Sequence, residues 1–184
     1  MARLQWCGRG LSQVVTTLIL LVVAVLLTST VTYYATNITM TRTQQEEVRI
    51  TKKHIWVNST GAVAALKVQN IGGRDILVDK IAVRSVETPW FRVYYFRVPS
   101  NTSITGDMNI TSAAKLTGAS VNIEGRNYSQ ASVDIPLASS GVLLIYVNSP
   151  SNIDLEDIGT ACSITVFTAN GQYIVESMVE SATP

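Results

Sequence analysis

Charge is missing from a long early stretch of this chain. Between Gly10 and Thr41 there is no Asp, Glu, Lys or Arg. Histidine occurs once, at His54, and cysteine twice, at Cys7 and Cys162. So few soft ligands argue against a zinc site. If the first ten residues are removed, Cys162 stands alone and no intramolecular disulfide can form. Cys162 is then expected to be a buried small apolar side chain, and His54 a structural residue near the neck. No H-E-x-x-H, G-x-S-x-G, P-loop or G-x-G-x-x-G motif occurs, so neither an enzyme nor a cofactor is expected. With 14 basic and 13 acidic residues, the chain has no basic excess for nucleic acid. The one acidic cluster, Asp154, Glu156 and Asp157, matches no calcium-loop spacing and reads as a solvated loop. Charged residues are only 15% of the chain, a composition suited to an outer wall of low charge.

What fills the uncharged stretch is a helix. The leader MARLQWCGRG carries Arg3 and Arg9 and runs into LSQVVTTLILLVVAVLLTSTVTYYA. About 20 apolar residues cross the ~30 Å core of a bilayer, and the basic leader places the start of the chain on the cytoplasmic side. A secretory signal has a shorter apolar core and a small-residue cleavage site at its far end; here the run is longer and no A-x-A site closes it. Val14, Val15, Leu18, Ile19, Leu21, Val22, Val25 and Leu26 leave no polar stripe, so the helix is expected to be buried all round, in lipid or among other helices. The threonines Thr16, Thr17, Thr28, Thr30 and Thr32 suit either setting, because a hydroxyl can bond back to the carbonyl four residues before it or pack between close helices.

Arg9-Gly10-Leu11-Ser12, a charge, a glycine, an apolar residue and a small one directly before the helix, resembles a class III (prepilin) processing site. The stretch from Gly10 to Ala35 is similar to the N-terminus of archaeal type IV pilins and archaellins. The resemblance covers residues 9–36. It implies cleavage after Gly10 by a prepilin peptidase, retention of the helix, and packing of Leu11 and the apolar residues named above with their copies at a fibre axis. It also implies an assembly motor as partner. Bacterial pilins carry a glutamate at the fifth mature position; here that position is Val15, which moves the resemblance toward the archaeal group. VQNIGGRDILVDKIAV is similar, more weakly, to archaeal pilin and archaellin heads, where a strand, an Asn-x-Gly turn and a second strand recur.

Past the neck the period changes from helical to two. The neck, to residue 53, is polar and includes Gln45, Glu46, Glu47 and Arg49; a first strand is expected from about Val48 to Ile55. AVAALKVQN, ILVDKIAVR, WFRVYYFRV, VLLIYVN, CSITVFTA and QYIVESMVE read as strands separated by turn residues, with Asn170-Gly171 as a two-residue hairpin loop. The fold class expected is α+β: a long hydrophobic N-terminal helix followed by an all-β, immunoglobulin-like sandwich head. The division expected is a leader over 1–10, helix and neck over 11–53, and an extracellular head over 54–184. On WFRVYYFRV, Trp90, Phe91, Tyr94, Tyr95 and Phe96 are expected to serve the core on one side and a subunit contact on the other. The Ser/Thr/Asn-rich stretch 99–132 reads as a long exposed loop or short edge strands.

Five N-x-[ST] sequons occur, at Asn37, Asn58, Asn101, Asn109 and Asn127. A glycan on a loop sequon would hold water around the surface; Asn37, close to the helix, is the poorest acceptor. The function expected is a structural subunit (major pilin) of an archaeal type IV pilus for adhesion or surface attachment, membrane-inserted as a precursor and extracellular as a filament. The alternative is a membrane-anchored archaellum accessory or surface-layer-binding β-sandwich. A membrane-anchored binding domain is a third reading.

Overall fold

The computed structural model describes residues 8–182, and the side chains of residues 12–41 and 43–182. The chain divides into two compact units between Thr43 and Gln44.

The first unit is one helix, α1 (Gly8–Gln44, 37 residues), about 55 Å long at 1.5 Å per residue. Valine and isoleucine are mediocre helix formers in water. In an apolar medium the helix is nonetheless favoured, because it satisfies every backbone group within the segment. The helix gives way at Gln45, where head groups capture the next residues. The Glu46 carboxylate accepts from the Thr168 hydroxyl and from Asn170 Nδ2 (3.0 Å). The Glu47 carbonyl accepts the Ile71 and Gly72 N–H groups at 2.9 and 3.1 Å.

The second unit holds eleven strands: β1 (Val48–Asn58), β2 (Gly61–Asn70), β3 (Ile76–Val83), β4 (Val86–Thr88), β5 (Val93–Val98), β6 (Ser120–Ile123), β7 (Arg126–Gln130), β8 (Ile135–Leu137), β9 (Val142–Asn148), β10 (Ala161–Thr168) and β11 (Gln172–Ser181). The expected strands are present. The exception is the start of WFRVYYFRV, where Trp90–Arg92 form a 3₁₀ turn before β5. The β10–β11 hairpin forms one residue earlier than expected: Phe167 pairs with Gln172 and Thr168 N–H donates to Gly171 O (2.9 Å), so Ala169-Asn170 make the two-residue loop, and Gly171 N–H donates to Thr168 Oγ1 (3.0 Å).

The strands pair in the order β4-β3-β10-β11-β1-β2-β9-β5-β7-β6, with β8 also on β3. β11 is the joint. Gln172 to Met178 pair antiparallel with β10, and Val179 to Ser181 then pair parallel with Ile55 to Val57 of β1. The head is therefore β-rich, as expected. An immunoglobulin-like sandwich has two separate antiparallel sheets, and this connected ladder with one parallel pair does not establish it.

The main core lies between the two halves of the ladder: Ile55, Leu66 and Ile145 from one half meet Ile81, Val83 and Val166 from the other. A second cluster covers the opposite face of the β1-β2-β9-β5 half. There Trp56, Ala65, Tyr94, Leu144 and Tyr146 pack with Met108, Leu116 and Tyr128. This corrects two expectations. The 99–132 stretch does supply edge strands β6 and β7, but it is also the lid of a second core, not only an exposed loop. The aromatics of β5 and of the 3₁₀ turn before it serve core on both faces: Tyr95 and Trp90 pack on the first cluster, Tyr94 and Phe96 on the second, and Phe91 alone is exposed. Few large apolar residues suffice in the lid because the sheet beneath supplies most of the apolar surface.

A bulge in β1 fastens that lid. The register slips between Thr51 and His54, and Lys52 takes φ 50°. Its ammonium then donates to the carbonyls of Thr105 (2.9 Å) and Gly106, while His54 Nε2 lies 3.1 Å from Asp107 Oδ1.

Candidate functional site

The largest chemical feature is the surface of α1. From Ser12 to Thr41 the helix is long and apolar enough to cross a membrane, and none of its most apolar window is covered by protein. Val14, Val15, Leu18, Ile19, Leu21, Val22, Val25 and Leu26 all stand exposed, between 46% and 64%. They spread around the whole helix, so no single partner face is marked out.

The hydroxyls do not interrupt this surface. Thr16, Thr28, Thr30 and Thr32 donate to the carbonyls of Ser12, Ala24, Leu26 and Thr28 at 2.8–3.0 Å, and Thr17 to that of Val14 at 2.9 Å. Ser29 does the same to Val25. These hydroxyl protons are used within the helix itself, and the threonines keep their methyl groups on its surface. Toward the C-terminal end Tyr33 and Tyr34 meet edge to face with ring centres 5.9 Å apart. Amphipathic rings at the end of a span are typical of a membrane–water boundary.

Of the processing residues, Arg9, Gly10, Leu11 and Ser12 all lie in helical backbone. Ser12 is exposed and its carbonyl accepts the Thr16 hydroxyl. Residues 1–7 of the leader, with Arg3 and Cys7, fall outside the described residues.

The five sequons have different surroundings. Asn37 is exposed on α1, and its Thr39 hydroxyl is bonded to Ala35 O. Asn58 ends β1 in a turn in which its Oδ1 accepts both the N–H (2.9 Å) and the hydroxyl (2.6 Å) of Thr60. Asn101 is exposed in the turn after β5, and Asn127 is exposed on β7 with its Oδ1 accepting from Asn122 Nδ2 at 2.7 Å. Asn109 is half-buried in the lid, its Thr111 is buried, and its carbonyl accepts the Tyr146 hydroxyl.

The remaining titratable groups have structural surroundings. Cys162 is buried and free. His54 stacks on Trp56, with ring centres 5.2 Å apart, and lies between Asp107 and Glu180. In the acidic cluster Asp154 caps the 3₁₀ turn Leu155–Asp157. The Asp154 N–H and then Arg84, at 2.8 Å, hold the Asp157 carboxyl below the usual aspartate range. Among the described residues no group of three or more His, Cys, Asp or Glu is placed to hold a metal ion. Two shallow grooves that share Ser100, Thr102, Ser140 and Val142 adjoin each other at one end of the head; no local sequence pattern marks them, because their walls come from three separate loops.

The chain matches no protein-family model and no curated protein sequence.

Proposed function

We propose that the protein is a structural subunit of a type IV pilus-like filament of the archaeal kind, serving adhesion or surface attachment. One observation carries this reading: a long helix, apolar on every side with its threonine hydroxyls bonded to its own backbone, borne by a head that buries two cores of its own. Such a helix is stable only in lipid or among other apolar helices. A filament subunit uses both in turn, first as a membrane-inserted precursor and then in a bundle of identical helices. At about 25 cal/mol per Å2, burial of the helix amounts to tens of kcal/mol gross. Lipid supplies most of that already, so release into a fibre depends on helix packing, head contacts and an assembly motor.

In this reading a prepilin peptidase cuts between Gly10 and Leu11, and the β head forms an extracellular wall. Asn101 and Asn127, exposed on the head, and Asn58, at its end, are the sequons a glycan would reach. Asn109 and its Thr111 are engaged in the lid, and Asn37 sits on the apolar helix.

The experiment is Gly10→Ile in the full-length chain. Loss of the small residue before the cut is expected to leave uncleaved precursor in the membrane and no protein in sheared extracellular material. Normal fibres from that variant would overturn the class III reading, and the membrane-anchored accessory would take its place.

A further inference from the structure

The β10–β11 hairpin and the neck meet over one carboxylate. Asn170 is the exposed second residue of the hairpin loop, and Gly171 follows it. The Gly171 N–H donates to Thr168 Oγ1 at 3.0 Å. The Thr168 hydroxyl in turn donates to Oε1 of the half-buried Glu46. The other oxygen of that carboxylate, Oε2, accepts from Asn170 Nδ2 at 3.0 Å. Glu46 is thus joined directly to the side-chain amide of Asn170. Through one hydroxyl it is also joined to the main-chain N–H that follows.

The turn itself is closed without the carboxylate, by Thr168 N–H to Gly171 O at 2.9 Å. The Thr168 hydroxyl also has Gly171 O as a second acceptor, at 3.1 Å, with the carboxylate the closer of the two. Thr168 is buried, which shields the relaying hydroxyl from exchange with water. Gly171 has no Cβ to hinder its nitrogen as it approaches the neighbouring carboxamide. A nitrogen nucleophile, a base reached through one hydroxyl, and a leaving group held by that same base are the parts of an acyl transfer. Nucleophile and carbonyl belong to adjacent residues, so ring closure needs no encounter.

We infer that Asn170-Gly171 is a self-modification site, at which Glu46, through Thr168, drives deamidation of Asn170. The bond from Gly171 N to Asn170 Cγ forms as the N–H proton passes to Thr168 Oγ1 and the Thr168 proton passes to Glu46. The Cγ–Nδ2 bond breaks, Glu46 returns a proton to Nδ2, and ammonia leaves. Water then opens the cyclic imide at either carbonyl, giving aspartate or isoaspartate. One water is consumed and one ammonia released, with no change of oxidation state. The product sets a carboxylate against Glu46, so like charges replace a hydrogen bond. The neck then keeps only its second anchor, the Glu47 carbonyl on the Ile71 and Gly72 N–H groups. This inference stands apart from the filament reading, since it needs only the head and the neck.

The test incubates the full-length chain in detergent at neutral pH and follows the peptide containing Asn170 by mass, with aspartate and isoaspartate forms separated by chromatography. Asn170 is expected to convert, and Glu46→Gln to slow conversion at least about tenfold. Thr168→Val is expected to slow it as much, and Thr168→Ser, which keeps the hydroxyl, to preserve it. Circular dichroism checks that each variant is folded; if Thr168→Val is not, Glu46→Gln and Thr168→Ser decide. An Asn170 that stays an amide overturns the site. Conversion in Glu46→Gln as fast as in the unsubstituted chain, or faster, also overturns it, because the carboxylate then only holds the amide in place. For the consequence, Asn170→Asp is expected to speed amide exchange over Gln45–Glu47 at least about tenfold. Unchanged exchange there overturns the release of the neck.

Discussion

Asn70 and Gly72 hold the chain where helix gives way to sheet. Asn70 is fully buried. Its Nδ2 faces the carbonyls of Arg74 (2.8 Å), Ala138 (3.2 Å) and Leu137 (3.4 Å), and its Oδ1 accepts the Gly72 N–H at 3.0 Å. One amide thereby ties the β2–β3 turn to the turn before β9. Gly72 is required for close approach: a Cβ there would stand 2.6 Å from the Gln45 carbonyl and 2.7 Å from the Glu47 nitrogen. Asn70→Ala leaves buried carbonyls without a donor, at a cost of about 1–3 kcal/mol. Gly72→Ala forces the neck backbone aside, at a similar ~1–3 kcal/mol. At roughly 2–4 °C per kcal/mol for a domain of this size, each variant should melt several degrees lower by circular dichroism in detergent. An unchanged midpoint for both would contradict the lock.

At the scale of elements, the long uncharged run and the two-residue period made α1 and most strands legible from composition alone. The second core was not. Its signal lay in AVAAL and VLLIYV, which are apolar without alternation. In a sheet that means both faces are covered. The cover itself is polar in composition and holds few large apolar side chains, so no local pattern marks it as a lid. The strand β11 was legible, but its switch from an antiparallel to a parallel partner was not, because it depends on contacts far apart in sequence. The groove lies between loops for the same reason.

The lid has a measurable signature. Burial raises the hydroxyls of Tyr94, Tyr128 and Tyr146 above the usual tyrosine range; Tyr94 donates to Gly118 O (3.1 Å) and Tyr146 to Asn109 O (2.9 Å). A group whose folded pKa is raised contributes stability that is fully present below its unfolded value, about 10 for tyrosine, and lost above it, as the unfolded state releases the proton first. Resistance to denaturant should therefore be flat up to about pH 9 and fall steeply above about pH 10. Tyr128→Phe with Tyr146→Phe should flatten that fall. An alkaline profile identical to the unsubstituted chain would place these hydroxyls in water.

For the whole molecule the central question is whether the helix stays in the membrane or leaves it. The head has a self-sufficient core and little charge, and the chain as a whole has a near-neutral balance of +1. In the filament reading, a wall of such heads is held by local contacts, not by bulk attraction. Between Ser12 and Thr41 the helix carries no charged residue, and its threonines are bonded to its own backbone, so its surface serves an anchored protein as well as a fibre. What separates the two is the N-terminus of the protein found outside the cell. The most direct measurement is N-terminal sequencing with intact mass of sheared extracellular material. The filament reading predicts a chain beginning at Leu11, with any added mass on the head. Protein confined to membranes and still beginning at Met1 would contradict it.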